Sequence, residues 1–75
     1  MNVDLIYATI RISEILRDEY NLSLDEAVKC IDSYGVINCC IGNNEYISFF
    51  LQTSFQTWAQ RMYEHYNDNV RKKTK

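Results

Sequence analysis

Apolar residues recur every three or four positions along most of this chain, which is the period of a helix that buries one face. Within residues 3–19 the stripe is Leu5, Ala8, Ile12, Ile15 and Leu16, with Arg11, Glu14 and Asp18 on the opposite side. Ile6 and Ile10 fall outside it. A helix with so broad an apolar surface is contacted on two sides, by two neighbouring helices or by one neighbour and a partner molecule. Asn21-Leu22 then interrupts the pattern, and Ser23-Leu24-Asp25-Glu26 matches the S-x-x-E capping box, in which Ser and Glu satisfy each other's free backbone N–H groups. Leu22, just before the cap, is placed to pack on Ala27, and Asp25 and Glu26 suit the positive end of the helix dipole. The second helix is expected to run to about Tyr34 with Leu24, Ala27, Val28 and Ile31 facing inward, closed by a left-handed Gly35.

Residues 36–41 are almost wholly apolar and too short for periodicity to separate a short helix from a buried extended stretch. Gly42-Asn43-Asn44 signals a turn, with Asn43 or Asn44 able to cap the helix that follows. Residues 46–66 hold seven of the ten aromatic residues and the single tryptophan. Ile47, Leu51, Phe55 (or Ser54), Trp58, Met62 and Tyr66 (or His65) recur there at helical spacing and form the expected core stripe. One straight helix over residues 45–70 would be about 39 Å long, more than a small domain needs. Thr53-Ser54-Phe55-Gln56 is a second capping-box pattern with Thr53 as the cap, so two helices are expected, 45–52 and 54–69. The pattern as a whole predicts an all-α fold, a small bundle of four to five short helices in a single domain over residues 1–70, followed by a basic, disordered tail at 71–75.

Composition agrees with the pattern: 75 residues, no proline, two glycines and 47% hydrophobic residues. A chain this short buries a smaller share of its surface than a longer one, which makes support from a partner or from self-association a natural expectation. No apolar run approaches the ~20 residues of a membrane span. Asp4 also stands where a secretory signal carries positive charge, so a soluble, cytoplasmic protein is expected. Three cysteines, two of them adjacent at Cys39 and Cys40, do not make a disulfide framework. Charge is asymmetric. Arg71, Lys72, Lys73 and Lys75 are four of the eight basic residues and all ten acidic residues precede them, so residues 1–70 carry four bases against ten acids, a net of −6. Such a body repels phosphate backbones and argues against nucleic acid as its partner.

Candidate chemistry is sparse. Cys30, Cys39, Cys40 and His65 are the right residue types for a zinc site but lack the paired spacing that such sites show. A cysteine nucleophile with His65 as base would need an orienting third group that the spacing does not supply. Asp18-Glu19 and Asp25-Glu26 are sequence neighbours, which point apart on a helix and form no acid–base pair. There is no glycine-rich phosphate loop and no hydrolase or metalloprotease motif. The expectation is no enzyme, no catalytic residue, no metal and no cofactor. The aromatic excess is more informative: Tyr46, Phe49 and Tyr63 fall beside the core stripe rather than on it. Aromatics there either close the edge of a core or act as interface anchors. Together with Ile6 and Ile10 they are the candidate partner-binding residues.

The strings EYNLSLDEAVKCIDSYGVINCC and FLQTSFQTWAQRMYEHY resemble a family of small uncharacterised bacterial proteins found beside genes for ADP-ribosyltransferase-like toxins. The likeness lies in a first helix, a capped second helix ending in Tyr34-Gly35-Val36, and the string Leu51-Gln52-Thr53 opening the last helix. The chain departs from the family at Gln52, where the family usually has histidine, and in the turn at residues 41–44, which looks like an insertion. The resemblance implies a protein-binding antitoxin or accessory subunit and supplies no catalytic residue. The expected function is thus a helical protein-interaction module that neutralises a toxin or a host enzyme, with self-association as a further expectation. The alternatives are a nucleic-acid-binding regulator using the basic tail, or an acidic nucleic-acid mimic of phage origin.

Overall fold

The computed structural model describes residues 3–71, and residues 72–75 of the expected basic tail lie outside it. The described chain forms five α-helices: α1 (Val3–Glu19), α2 (Leu24–Tyr34), α3 (Val36–Cys40), α4 (Asn44–Gln52) and α5 (Phe55–Tyr66). The backbone continues from α5 into a π-helical turn, Asn67–Arg71. No strand occurs among the described residues, and the fold is a small all-α bundle.

Local chemistry sets the helix boundaries. The Ser23 side chain accepts the Glu26 N–H at 3.1 Å, and the Glu26 carboxylate accepts the Ser23 N–H at 3.3 Å, which completes the capping box. Gly35 closes α2 and opens α3 at φ +83°, a left-handed conformation that L side chains resist. The apolar string after it is helical, with Val36 and Cys40 buried. Asn43 is the cap of α4, its Oδ1 accepting the Tyr46 N–H at 3.1 Å.

α5 packs against both α1 and α2, which also pack on each other, and α3 joins α2 to α4. α1 buries the stripe read from the sequence, Leu5, Ala8, Ile12, Ile15 and Leu16. Into this interface α5 presents Trp58, Ala59, Met62 and Tyr66. α4 contributes Ile47 and Phe50. The Trp58 Nε1–H donates to the Phe50 carbonyl oxygen at 2.8 Å, joining the last turn of α4 to the first turns of α5.

Three expectations are corrected. Leu24 and Val28 do not face the core but stand 57% and 54% exposed. At 100° per residue, the buried sector of α2 centres on Ala27, Cys30 and Ile31, and these two lie at its flank. Leu51 is at the surface and Phe50 takes its place in the core, because the break after Gln52 rotates α4 relative to α5 and the two share no continuous stripe. The cap of α5 is Ser54 rather than Thr53: Ser54 Oγ accepts the Thr57 N–H at 3.2 Å. Gln56 then forms no capping box and donates instead to the Glu19 carboxylate at 3.2 Å, linking the start of α5 to the end of α1.

Trp58→Ala should destabilise the fold by roughly 3–5 kcal/mol. Trp58→Phe should cost about 1 kcal/mol or more, since it keeps a ring but removes the indole donor and leaves the Phe50 carbonyl only the longer bond from the Thr53 N–H at 3.4 Å. Chemical denaturation followed by circular dichroism measures both. By the same method Ser54→Ala should cost about 1 kcal/mol, as loss of a cap does, and Thr53→Ala clearly less; equal losses would contradict the cap assignment.

Candidate interaction surface

α1 carries a second apolar stripe that its neighbours leave largely open: Val3, Ile6, Tyr7 and Ile10 are all exposed, although the Tyr7 ring meets Phe55 of α5 edge-on at 6.1 Å. Their spacing puts them on one face, rotated away from the buried stripe. α2 exposes Leu24 and Val28, and Ile41 just after α3 is 59% exposed. Ile6/Ile10 and Leu24/Val28 are i, i+4 pairs, each a short ridge along one side of its helix, and Ile37 of α3 with Ile41, whose backbone is extended just beyond that helix, adds a third pair of aliphatic side chains.

These ridges enclose a groove made of two hollows. One, of ≈ 290 Å³, lies between α1 and α2, walled by Ile10, Leu24, Val28 and Ile37 with Ser13 and Asp32 among its polar lining. The other, of ≈ 260 Å³, lies between α1 and α3 and is walled by Leu5, Ile6, Ile10, Ile37 and Ile41. Thr9, Ile10 and Ile37 line both, so the hollows adjoin. Thr9 Oγ1 donates to the Leu5 carbonyl at 2.8 Å and Ser13 Oγ to the Ile10 carbonyl at 2.7 Å. Their hydroxyls are thereby turned back onto α1, and the groove is left predominantly apolar.

Of the candidate binding residues, the structure brings Ile6 and Ile10 together on this groove. The aromatics lie elsewhere. Tyr46 is half-buried and meets Phe49 edge to face at 5.7 Å; Phe49 is 52% exposed and leans on Trp58 at 6.4 Å. Tyr63 stacks on Tyr20 at 4.5 Å, where burial first, then Glu19 and Glu64, hold the Tyr20 hydroxyl above its usual pKa. Tyr46 and Tyr63 thus help close the core edge, and Phe49 keeps half its surface free. Leu24, Val28, Ile37 and Ile41 complete the groove and were not among the candidates. Their i, i+4 spacing was visible in the sequence, but α2 and α3 had to be placed beside α1 before the pairs could converge.

The chemically reactive groups are dispersed. Cys30 and Cys40 are buried and Cys39 exposed, and His65 packs edge-on against Tyr34 at 5.4 Å. Among the described residues no group of three His, Cys, Asp or Glu side chains converges to hold a metal ion, and no helix is long and apolar enough to cross a membrane. Burial pushes the Cys30 thiol up to about 11 and raises that of Cys40 as well, the latter helped by Cys39. No family model, curated protein or solved structure matches the chain.

With a disulfide-forming reagent at pH 8, Cys39 should react quickly, and Cys30 and Cys40 only as fast as the fold opens. Mass spectrometry of the labelled peptides reads the order. Because the fold raises the Cys30 pKa, the folded state holds that proton more tightly than the unfolded one, so its contribution should be intact below pH 9 and decline from there towards about 11. Cys30→Ala should flatten that decline in a pH series of denaturation curves.

Proposed function

We propose that the chain is a helical protein-interaction module that takes a helix of a partner protein into the groove between α1, α2 and α3. The observation that carries this is the convergence of Ile6, Ile10, Leu24, Val28, Ile37 and Ile41 around two adjoining apolar hollows that form the groove. Five of the six are exposed, Ile37 being half-buried against the core, while Phe50, Ile12, Leu16 and Met62 are fully buried elsewhere. Contiguous apolar surface of this kind marks contact sites in soluble proteins. A helix suits the groove because ridges at i, i+4 spacing interlock with the grooves of another helix.

The resemblance to small proteins encoded beside ADP-ribosyltransferase-like toxins gives the module a role, an antitoxin-like or inhibitory subunit that neutralises its partner by covering it. Binding, with no chemical step, is the whole of the activity. Against the alternatives, a protein interface centred on aliphatic side chains should respond weakly to added salt, whereas phosphate binding through the basic tail weakens steeply.

Ile10→Glu and Val28→Asp test the proposal. Both side chains are more than half exposed, so the melting temperature should shift by only a few degrees. Capture of the partner by the tagged chain at native abundance should fall by about tenfold or more, the effect of losing an interface anchor. Phe49→Ala should leave capture nearly unchanged. Release of the partner by Phe49→Ala but by neither groove variant would move the site to the aromatic face.

A further inference from the structure

We infer that the groove is built for a basic amphipathic helix, a partner segment with aliphatic residues on one face and Lys or Arg flanking them. This rests on the groove being the binding surface and adds the charge of its occupant. Residues 1–70 carry ten acids and four bases, and three of those bases are already engaged. Arg11 pairs with Glu14 at 3.0 Å, Lys29 with Asp25 at 3.1 Å, and the Arg61 guanidinium lies 5.4 Å over the Trp58 ring. Asp32, by contrast, stands exposed in the wall of the larger hollow with no ion pair or hydrogen bond among the described residues. Asn38, also in that wall, offers a further side-chain oxygen that accepts from a cation.

A helix whose apolar face fills the two hollows would carry its flanking residues past this wall. Lys or Arg there would meet Asp32 and the acidic body; Glu there would meet like charge. A second copy of the chain would bring a second acidic body and a second Asp32, so self-association through this face is disfavoured. Arg17, one helical turn beyond Ser13, is the remaining cation of the four and lies on the groove side of α1. It opposes a basic occupant and gives the charge dependence a second handle.

Two synthetic helices of about 16 residues test the inference, with leucines at i, i+3, i+4 and i+7 and either Lys or Glu at all flanking positions. Binding is measured by calorimetry and by amide shifts of the isotope-labelled protein. The Lys helix should bind at least about tenfold more tightly than the Glu helix at low salt, with the gap narrowing at roughly 0.5 M salt. Shifts should centre on Ile6, Ile10, Val28, Ile37 and Ile41. Asp32→Lys should weaken the Lys helix about three- to tenfold, and Arg17→Glu should strengthen it. Val28→Asp adds an acid yet removes groove surface and should weaken it too. Equal binding of both helices would overturn the charge inference while sustaining the groove as a site. Neither helix shifting the groove residues would overturn both. Tighter binding to Val28→Asp would show attraction to bulk charge alone, and a dimer in sedimentation that buries the groove without peptide would make a second copy the occupant; either result overturns the inference.

Discussion

The hydrogen bond from the Trp58 indole to the Phe50 carbonyl is the contact on which the second half of the molecule depends. Carbonyls in the last turn of a helix have no partner within it, and a buried indole N–H needs an acceptor. Where α4 ends at Gln52, the Phe50 carbonyl accepts the Thr53 N–H at 3.4 Å and, more closely, the Trp58 indole N–H at 2.8 Å. Phe50 then packs against the Trp58 ring at 5.1 Å, Phe49 and Tyr34 approach it edge-on, and Arg61 covers it. α4 has only Ile47 and Phe50 in the core, so without this anchor little would hold it beside α5.

That anchor also explains how the molecule divides its apolar residues. The aromatics of residues 46–66 are spent mainly inward, around Trp58 and along the α1–α5 interface, where large rings fill a small core efficiently. The aliphatic residues of α1, α2 and α3 are not all enclosed: α1 and α2 pack on α5 and α3 packs on α1, α2 and α4, and Ile6, Ile10, Leu24 and Val28 are left on outward flanks. The outward flanks of α1 and α2 and the end of α3 lie side by side, which turns scattered surplus into one groove.

The surface ion pairs matter more for recognition than for stability. Arg11–Glu14 and Lys29–Asp25 are well exposed, and such pairs contribute roughly 0–1 kcal/mol. The hydrogen bond to Asp25, reinforced by its charge, raises the Lys29 pKa and keeps that cation occupied. Outside these two pairs the charged side chains among the described residues are mostly acidic, and this sets which charges a molecule approaching the helical body encounters.

Sequence alone determined the features that depend on neighbours a few residues away. The Ser23–Glu26 capping box and the Gly35 closure are short-range backbone matters, legible as residue types at a fixed spacing; the cap of α4 was narrowed to Asn43 or Asn44, and the break near Thr53-Ser54 was legible although its pattern places the cap one residue early. So was the buried stripe of α1, whose five residues repeat without ambiguity. Tertiary structure decided which flank of each helix the core would claim. Leu24 and Val28 sit within 100° of Ile31 on α2, and periodicity cannot tell the centre of an apolar sector from its edge until α1 and α5 are in place. Phe50 displaced Leu51 for a related reason: the break lets α4 turn independently, and only Trp58, eight residues on, specifies by how much. The groove belongs to this second class. Its six aliphatic residues come from α1, α2, α3 and the residue just after α3, so no local pattern could announce it, although Ile6 and Ile10 showed from the start that α1 had a second face to cover.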